Sequence, residues 1–126
     1  MKSKIAVIGL GYVGLPLAIE FGKKITTIGY DLNLNRIKSL NLKIDTNKET
    51  SSKDFKEAKY LKFTYDVKNL KHCNYFIITV PTPIYKNKKP NLKMIIKATK
   101  LVAEIIKKED IIIYESTVYP GLTDEI

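Results

Sequence analysis

Apolar residues in this chain fall into short unbroken runs, separated by polar stretches or by stretches of helical period. Ile5 to Ile8 are consecutive apolar residues, the pattern of a parallel strand covered on both faces. Val13 to Lys23 reads as a helix, with Val13, Leu17, Ile19 and Phe21 on an apolar stripe and Glu20 at its wet edge. Pro16 sits in its first turn, where a missing N–H costs little. Ile25 to Tyr30 predicts a second strand that ends at Asp31. Asn33 to Leu40 predicts a short helix with an Asn cap. Asn41 to Ser52 is a polar loop, followed by a short helix around Asp54 to Lys59.

Leu61 to Thr64 reads as a third strand and Val67 to Leu70 as a brief helical turn. Tyr75 to Val80 is a strongly apolar strand, stopped by Pro81-Thr82-Pro83, and Ile84 to Pro90 is a polar loop. Asn91 is expected to cap a long amphipathic helix running to Lys107. Its inner face would carry Leu92, Ile95, Ile96, Thr99, Val102, Ile105 and Ile106. Ile111 to Tyr114 is the last strand and leads into Glu115-Ser116-Thr117-Val118. No internal repeat or low-complexity segment interrupts this order.

Strands that alternate with helices predict an α/β fold, a Rossmann-like doubly wound parallel sheet with right-handed crossovers. At 126 residues the chain is one domain. Its last residues, Thr123 to Ile126, read as the opening turn of an unfinished helix, so a piece of a longer chain is expected. In such sheets ligands bind beyond the carboxyl ends of the strands. The glycine turn with Asp31, Pro81-Thr82-Pro83 and Glu115-Ser116-Thr117 all fall at that edge.

The glycine turn is Gly9-Leu10-Gly11-Tyr12-Val13-Gly14, which closes the first apolar run as G-x-G-x-x-G. Gly9 allows a tight strand-to-helix turn, and Gly11 lacks the Cβ that would hold a pyrophosphate off the backbone. Gly14 lets the helix pack close to the sheet. The helix then presents unpaired amides and its positive dipole end to the phosphates. Asp31 lies about 20 residues further on, where a carboxylate can accept from adenosine ribose hydroxyls. Leu32 and Asn33 offer no positive charge to a 2′-phosphate, so NAD is expected rather than NADP, although Arg36 stands one helical turn on. The competing reading of Asp31 is a strand-end carboxylate that caps the helix from Asn33.

The formal charge of +9 changes this picture little. All the basic residues except Arg36 are lysines scattered through every segment, whereas nucleic-acid readers lean on arginine. A solvated surface is expected, with no nucleic-acid partner. The runs at Lys86 to Lys89 and Lys107-Lys108 could steer a diphosphate. Cys73 is the only cysteine, so no intrachain disulfide forms and a reducing, cytoplasmic compartment fits. Met1 to Lys4 before an apolar run imitates a signal peptide, but the glycine spacing, Pro16 and Glu20 account for that run as strand, turn and helix. No run is long enough for a membrane span. His72 reads as a lone surface histidine without partners for a metal, and Cys73 as a structural thiol.

Similar glycine turns serve flavoproteins and methyltransferases, so the later motifs narrow the reading. Gly9 to Ala18, Val80-Pro81-Thr82-Pro83 and Glu115-Ser116-Thr117-Val118-Tyr119-Pro120-Gly121 together resemble the UDP-glucose/GDP-mannose dehydrogenase family. The resemblance covers essentially the whole chain and only that family's N-terminal NAD-binding domain. Tyr-Pro-Gly after Ser-Thr-Val looks most like the branch that oxidises UDP-N-acetyl-hexosamines for capsule, O-antigen and Vi-type polysaccharides. Leu122 departs from the pattern, since many relatives of that branch carry threonine there.

The resemblance implies oxidation of a sugar C6 alcohol to a carboxylate in two steps with two NAD, through a cysteine of a later domain. It implies backbone contacts from Tyr12 and Val13 to the pyrophosphate, Asp31 on the ribose, and Arg36 at the adenosine end. Thr82 would lie beside the cofactor, and Thr117 near the nicotinamide would position a catalytic water. Glu115 matches an acidic residue of the branch. A hydroxyl suits that water, because it can answer a developing oxyanion without adding charge beside NAD⁺. The resemblance also implies a UDP-sugar partner, held mainly outside this chain, and a homodimer. A non-catalytic dinucleotide sensor and a 3-hydroxyacid-type dehydrogenase domain are the alternatives. The Glu115-Ser116-Thr117 stretch argues against the sensor, which needs no catalytic water. The 3-hydroxyacid-type domain would not be expected to carry Val80-Pro81-Thr82-Pro83 and the Thr117 segment together.

Overall fold

The computed structural model describes residues 3–45, 50–80 and 92–115. Five strands form one parallel sheet: β1 (Lys4–Ile8), β2 (Thr26–Tyr30), β3 (Leu61–Thr64), β4 (Tyr75–Ile78) and β5 (Ile111–Tyr114), in the order β3-β2-β1-β4-β5. The helices are α1 (Gly14–Gly22), α2 (Leu34–Asn41), α3 (Ser52–Glu57) and α4 (Lys93–Ala103), with a 3-10 turn at Val67–Leu70.

The strand order reverses beside β1, and the two halves cover opposite faces of the sheet. Ile5, Val7 and Ile77 pack against Leu15, Ala18 and Ile19 of α1, Ile37 and Leu40 of α2, and Phe55 of α3. Ala6, Ile8, Phe76 and Ile78 pack on the other face against Ala98 and Val102 of α4 and Leu70 of the 3-10 turn. Every residue from Ile5 to Ile8 is therefore buried, as its unbroken apolar run requires. Each such buried Ile, Val or Leu contributes about 1.5–3 kcal/mol relative to leaving it exposed.

Local chemistry sets the element boundaries. Asn33 caps α2 through its side-chain oxygen, which accepts the Arg36 N–H at 3.2 Å. Ser51 and Asp54 form a reciprocal capping box that starts α3 two residues earlier than the polar-loop reading placed it. Ser51 in turn donates to Asp54, and these hydrogen bonds lower the carboxyl's pKa. The strand read as Tyr75 to Val80 ends at Ile78, because Thr79 turns to serve the glycine turn.

The long helix is shorter than its periodicity suggested. It ends at Ala103, and Ile105 and Ile106 pack onto the core from the turn that follows. Leu92 and Ile96, expected on its inner face, are exposed, and burial centres on Ala98 and Val102. The expected Asn91 cap lies outside the described residues.

Candidate functional site

The register brings the carboxyl ends of all five strands into line: Thr64, Tyr30, Ile8, Ile78 and Tyr114 are successive partners across the sheet. The residue after each of four strands continues the ladder by one more hydrogen bond. Asp31 N–H donates to Thr64 at 3.3 Å, Gly9 to Tyr30 at 2.8 Å, Thr79 to Ile8 at 2.9 Å and Glu115 to Ile78 at 2.9 Å. Asp31, Gly9, Thr79 and Glu115 thus stand in one row along the sheet edge, at the point where the strand order reverses. That is where open α/β sheets bind ligands.

Within the turn, Gly9 has φ +101°, a conformation that L side chains rarely adopt. A Cβ on Gly14 would come within 1.7 Å of the Gly9 carbonyl oxygen and 2.4 Å of Thr79 Oγ1, so α1 packs against the turn with no room to spare. A Cβ on Gly11 would meet nothing within 4 Å. Glycine at that position therefore serves no packing need of the protein and leaves open space against the backbone. Tyr12 is exposed and Val13 half-buried. The α1 terminus has no side-chain cap and no acidic residue in its first turn, and its second amide, that of Leu15, donates to the Gly11 carbonyl at 3.2 Å.

Successive peptide groups of the turn are clamped by side chains. Thr79 Oγ1 lies 2.6 Å from the Gly9 carbonyl oxygen and 3.0 Å from that of Ile8, and its one proton is shared between them, with Gly9 the nearer acceptor. Asp31 Oδ2 accepts the Leu10 N–H at 2.9 Å, and its Oδ1 accepts the Asn33 N–H at 2.9 Å. The helix cap weighed for Asp31 falls to Asn33; Asp31 instead holds the Asn33 N–H ahead of the helix and ties β2 to the turn through Leu10. Arg36 Nε donates to the Leu10 carbonyl at 2.9 Å, and its Nη1 meets Asp45 Oδ1 at 2.9 Å.

These groups border a cleft of about 480 Å³, whose floor is Ile8 and Tyr30. Asp31 and Arg36 stand on one wall, and Met94 and Lys97 of α4 on the other. Burial first, then the nearby charges of Asp31 and Asp66, raise the pKa of Tyr30, which keeps its phenol neutral. The cleft and the bare space at Gly11 fit a dinucleotide lying across the turn.

Glu115 closes the row as an exposed residue at the end of β5. Thr82 and Thr117, with Leu122, lie outside the described residues. Cys73 is buried before β4, and desolvation pushes its thiol up to about 11 despite the Lys107 and Lys4 charges. His72 is exposed, and no cluster of His, Cys, Asp or Glu able to hold a metal occurs among the described residues. No helix among them is long and apolar enough to cross a membrane.

Sequence reasoning missed Thr79, Asp45 and the α4 wall. A threonine near the end of the apolar Tyr75 to Val80 run was a usable signal for Thr79. So was a lone arginine among lysines for the Arg36 pair, because only a guanidinium fork holds two acceptors in fixed geometry.

Fold, strand-order reversal and glycine turn define a Rossmann-type dinucleotide-binding domain. Residues 3–126 match the family described as the UDP-glucose/GDP-mannose dehydrogenase family, NAD binding domain, and the chain belongs to that family. It is 53% identical over 97% of its length to the UDP-N-acetyl-D-glucosamine 6-dehydrogenase of Salmonella typhi, of which it covers 29%. It is 45% identical over 99% of its length to Protein CapL of Staphylococcus aureus, again covering 29%. Among solved structures, the UDP-D-ManNAc dehydrogenase of Pyrococcus horikoshii superposes with a TM-score of 0.85 at 38% identity. That match covers 97% of this chain and 30% of the other. The chain thus spans under a third of the length of these relatives.

Proposed function

We propose that this chain holds NAD for a nucleotide-sugar 6-dehydrogenase, which oxidises the C6 alcohol of a UDP-hexose or UDP-N-acetyl-hexosamine to a uronic acid. The observation that carries this reading is the contrast between Gly14, closed by contacts of the protein itself, and Gly11, which opens onto space. The similarity at 53% identity to a UDP-N-acetyl-D-glucosamine 6-dehydrogenase supports the choice of substrate class.

NAD, when bound, supplies the hydride acceptor for both oxidations. The protein's part is binding and orientation. Gly9, Gly11 and Gly14 let the backbone approach the pyrophosphate, and the amides of Tyr12 and Val13 meet it with the positive end of the α1 dipole. Asp31 receives the ribose: each of its oxygens accepts one backbone N–H and keeps lone-pair capacity for a hydroxyl. Arg36 stands at the adenosine end, and Thr82 beside the cofactor.

Thr117 holds the catalytic water, with Glu115 as the acidic group of the same segment. Cys73 has no part as nucleophile, because a buried thiol with a raised pKa supplies almost no thiolate near neutrality. The sugar site and the nucleophile belong to length outside this chain, as does the contact that makes the enzyme a homodimer. The single cysteine, Cys73, forms no intrachain disulfide, which favours a cytoplasmic setting.

The test is NADH formation from a panel of UDP-sugars by a polypeptide that carries this chain and the further length its relatives have. Two NADH per sugar are expected from at least one UDP-hexose or UDP-N-acetyl-hexosamine. This chain alone should bind NAD and form none. Absence of NADH with every UDP-sugar, in a protein that binds NAD, would overturn the activity while sparing the cofactor site.

A further inference from the structure

Arg36 is the chain's only arginine, and its side chain is 9% exposed, while that of its partner Asp45 is 1% exposed. Asp45 is itself oriented, because its second oxygen accepts the Thr50 N–H at 2.9 Å. Asp45 thus holds the guanidinium in an orientation that leaves Nε aimed at the Leu10 carbonyl.

That contact bears on the turn through peptide geometry. A trans peptide places its C=O and N–H on opposite sides of one plane. In the Gly9–Leu10 peptide the carbonyl meets Thr79 and the N–H meets Asp31, so both edges are fixed. In the next peptide the Leu10 carbonyl meets Arg36, which turns the Gly11 N–H away from the guanidinium. Asp45, through Arg36, therefore sets the plane of the peptide that enters the open position at Gly11.

The same pair has an electrostatic consequence. Arg36 and Asp31 border one cleft, and an arginine near the ribose is the usual means of accepting a 2′-phosphate. A guanidinium already paired with a buried carboxylate has little charge to offer a second anion. We propose that Asp45 is a positioning and specificity-determining residue: it locks Arg36 onto the glycine turn and, by neutralising it, selects NAD over NADP. The proposal rests on the assignment of this cleft to NAD.

The experiment is calorimetric titration of the protein with NAD and with NADP, for wild type, Asp45→Asn and Arg36→Lys, at low and high salt. Wild type should bind NAD in clear preference to NADP. Asp45→Asn should weaken NAD and strengthen NADP, moving the ratio of dissociation constants at least fivefold toward NADP, and the NADP affinity gained should fall as salt rises. Arg36→Lys lacks the rigid planar fork that holds Leu10 and Asp45 in fixed geometry, so its ratio should move the same way, and it serves if Asp45→Asn does not fold. An unchanged ratio in whichever variant is folded overturns the proposal, even where both affinities fall together as for a merely structural residue. Failure of wild type to bind NAD at all would overturn the assignment of the cleft instead.

Discussion

Asp31 accepts the backbone N–H of Leu10 at 2.9 Å, and this contact ties the end of β2 to the middle of the glycine turn. Its other oxygen accepts the Asn33 N–H, so the carboxylate organises two loops at once. Asp31→Asn has one acceptor oxygen where two are used, and its NH₂ would face an N–H. The substitution is expected to cost about 1.5–3 kcal/mol, the range for hydrogen bonds to a charged group. Chemical denaturation measures it, and NAD affinity should fall in parallel. An unchanged midpoint would mean that the contact contributes nothing.

The glycines separate stability from binding. Gly14→Ala drives a Cβ to 1.7 Å from the Gly9 carbonyl oxygen, and relief requires α1 or the turn to move. A loss of about 1–3 kcal/mol or more is expected, the cost of overpacking, together with loss of NAD binding. Gly11→Ala meets no protein atom, so its thermal midpoint should stay near wild type while NAD affinity drops at least tenfold. Equal effects of the two substitutions on stability would contradict the packing described.

Thr79 offers a cleaner deletion of one group. Thr79→Val keeps the shape of the side chain and removes the hydroxyl that meets the Gly9 carbonyl at 2.6 Å. Leaving that carbonyl without its donor should cost about 1–3 kcal/mol. Thr79→Ser, which keeps the hydroxyl, should recover most of it. Unfolding curves of the pair, measured side by side, decide whether the hydroxyl or the methyl matters.

Cys73 gives a pH dependence of known sign. Burial raises its pKa from 9.0 to about 11, so the fold favours the neutral thiol. This contribution to stability is complete below pH 9 and is lost as the pH rises toward 11. Wild type should therefore lose stability more steeply than Cys73→Ala across that interval. At pH 8 a thiol reagent should label native protein on the order of 100-fold more slowly than unfolded protein. Rapid labelling of the native state would contradict the burial.

What the sequence disclosed follows from how local each signal was. Ile5 to Ile8 announced a parallel strand because a run of that length needs apolar cover, and all four residues are buried; Ile111 to Tyr114 announced one too, although Ile111, Ile113 and Tyr114 stay exposed. The Asn33 cap depends on neighbours in sequence, and it too was legible. The end of α4 was not. Ile105 and Ile106 keep an apolar rhythm after the helix stops at Ala103, and periodicity does not distinguish a helical turn from a buried loop. Asp45 and Thr79 lay deeper still. Asp45 sits in a polar stretch and Thr79 in an apolar one, and their partners, Arg36 and Gly9, stand 9 and 70 residues away. Contacts of that kind depend on tertiary placement, which pattern and propensity do not carry.

In the proposed complex NAD lies against the glycine turn at the carboxyl edge of the sheet. The most direct measurement is titration of the protein with NAD, followed by backbone amide NMR. Saturable shifts are expected at Gly9 to Gly14, Asp31 to Asn33 and Thr79, with the largest at Gly11, Tyr12 and Val13. Residues of the second depression, Lys43, Lys56, Lys59 and Lys62 around Phe55, should not move. Saturable shifts confined to those lysines, or none at the glycine turn at any NAD concentration, would contradict the claim.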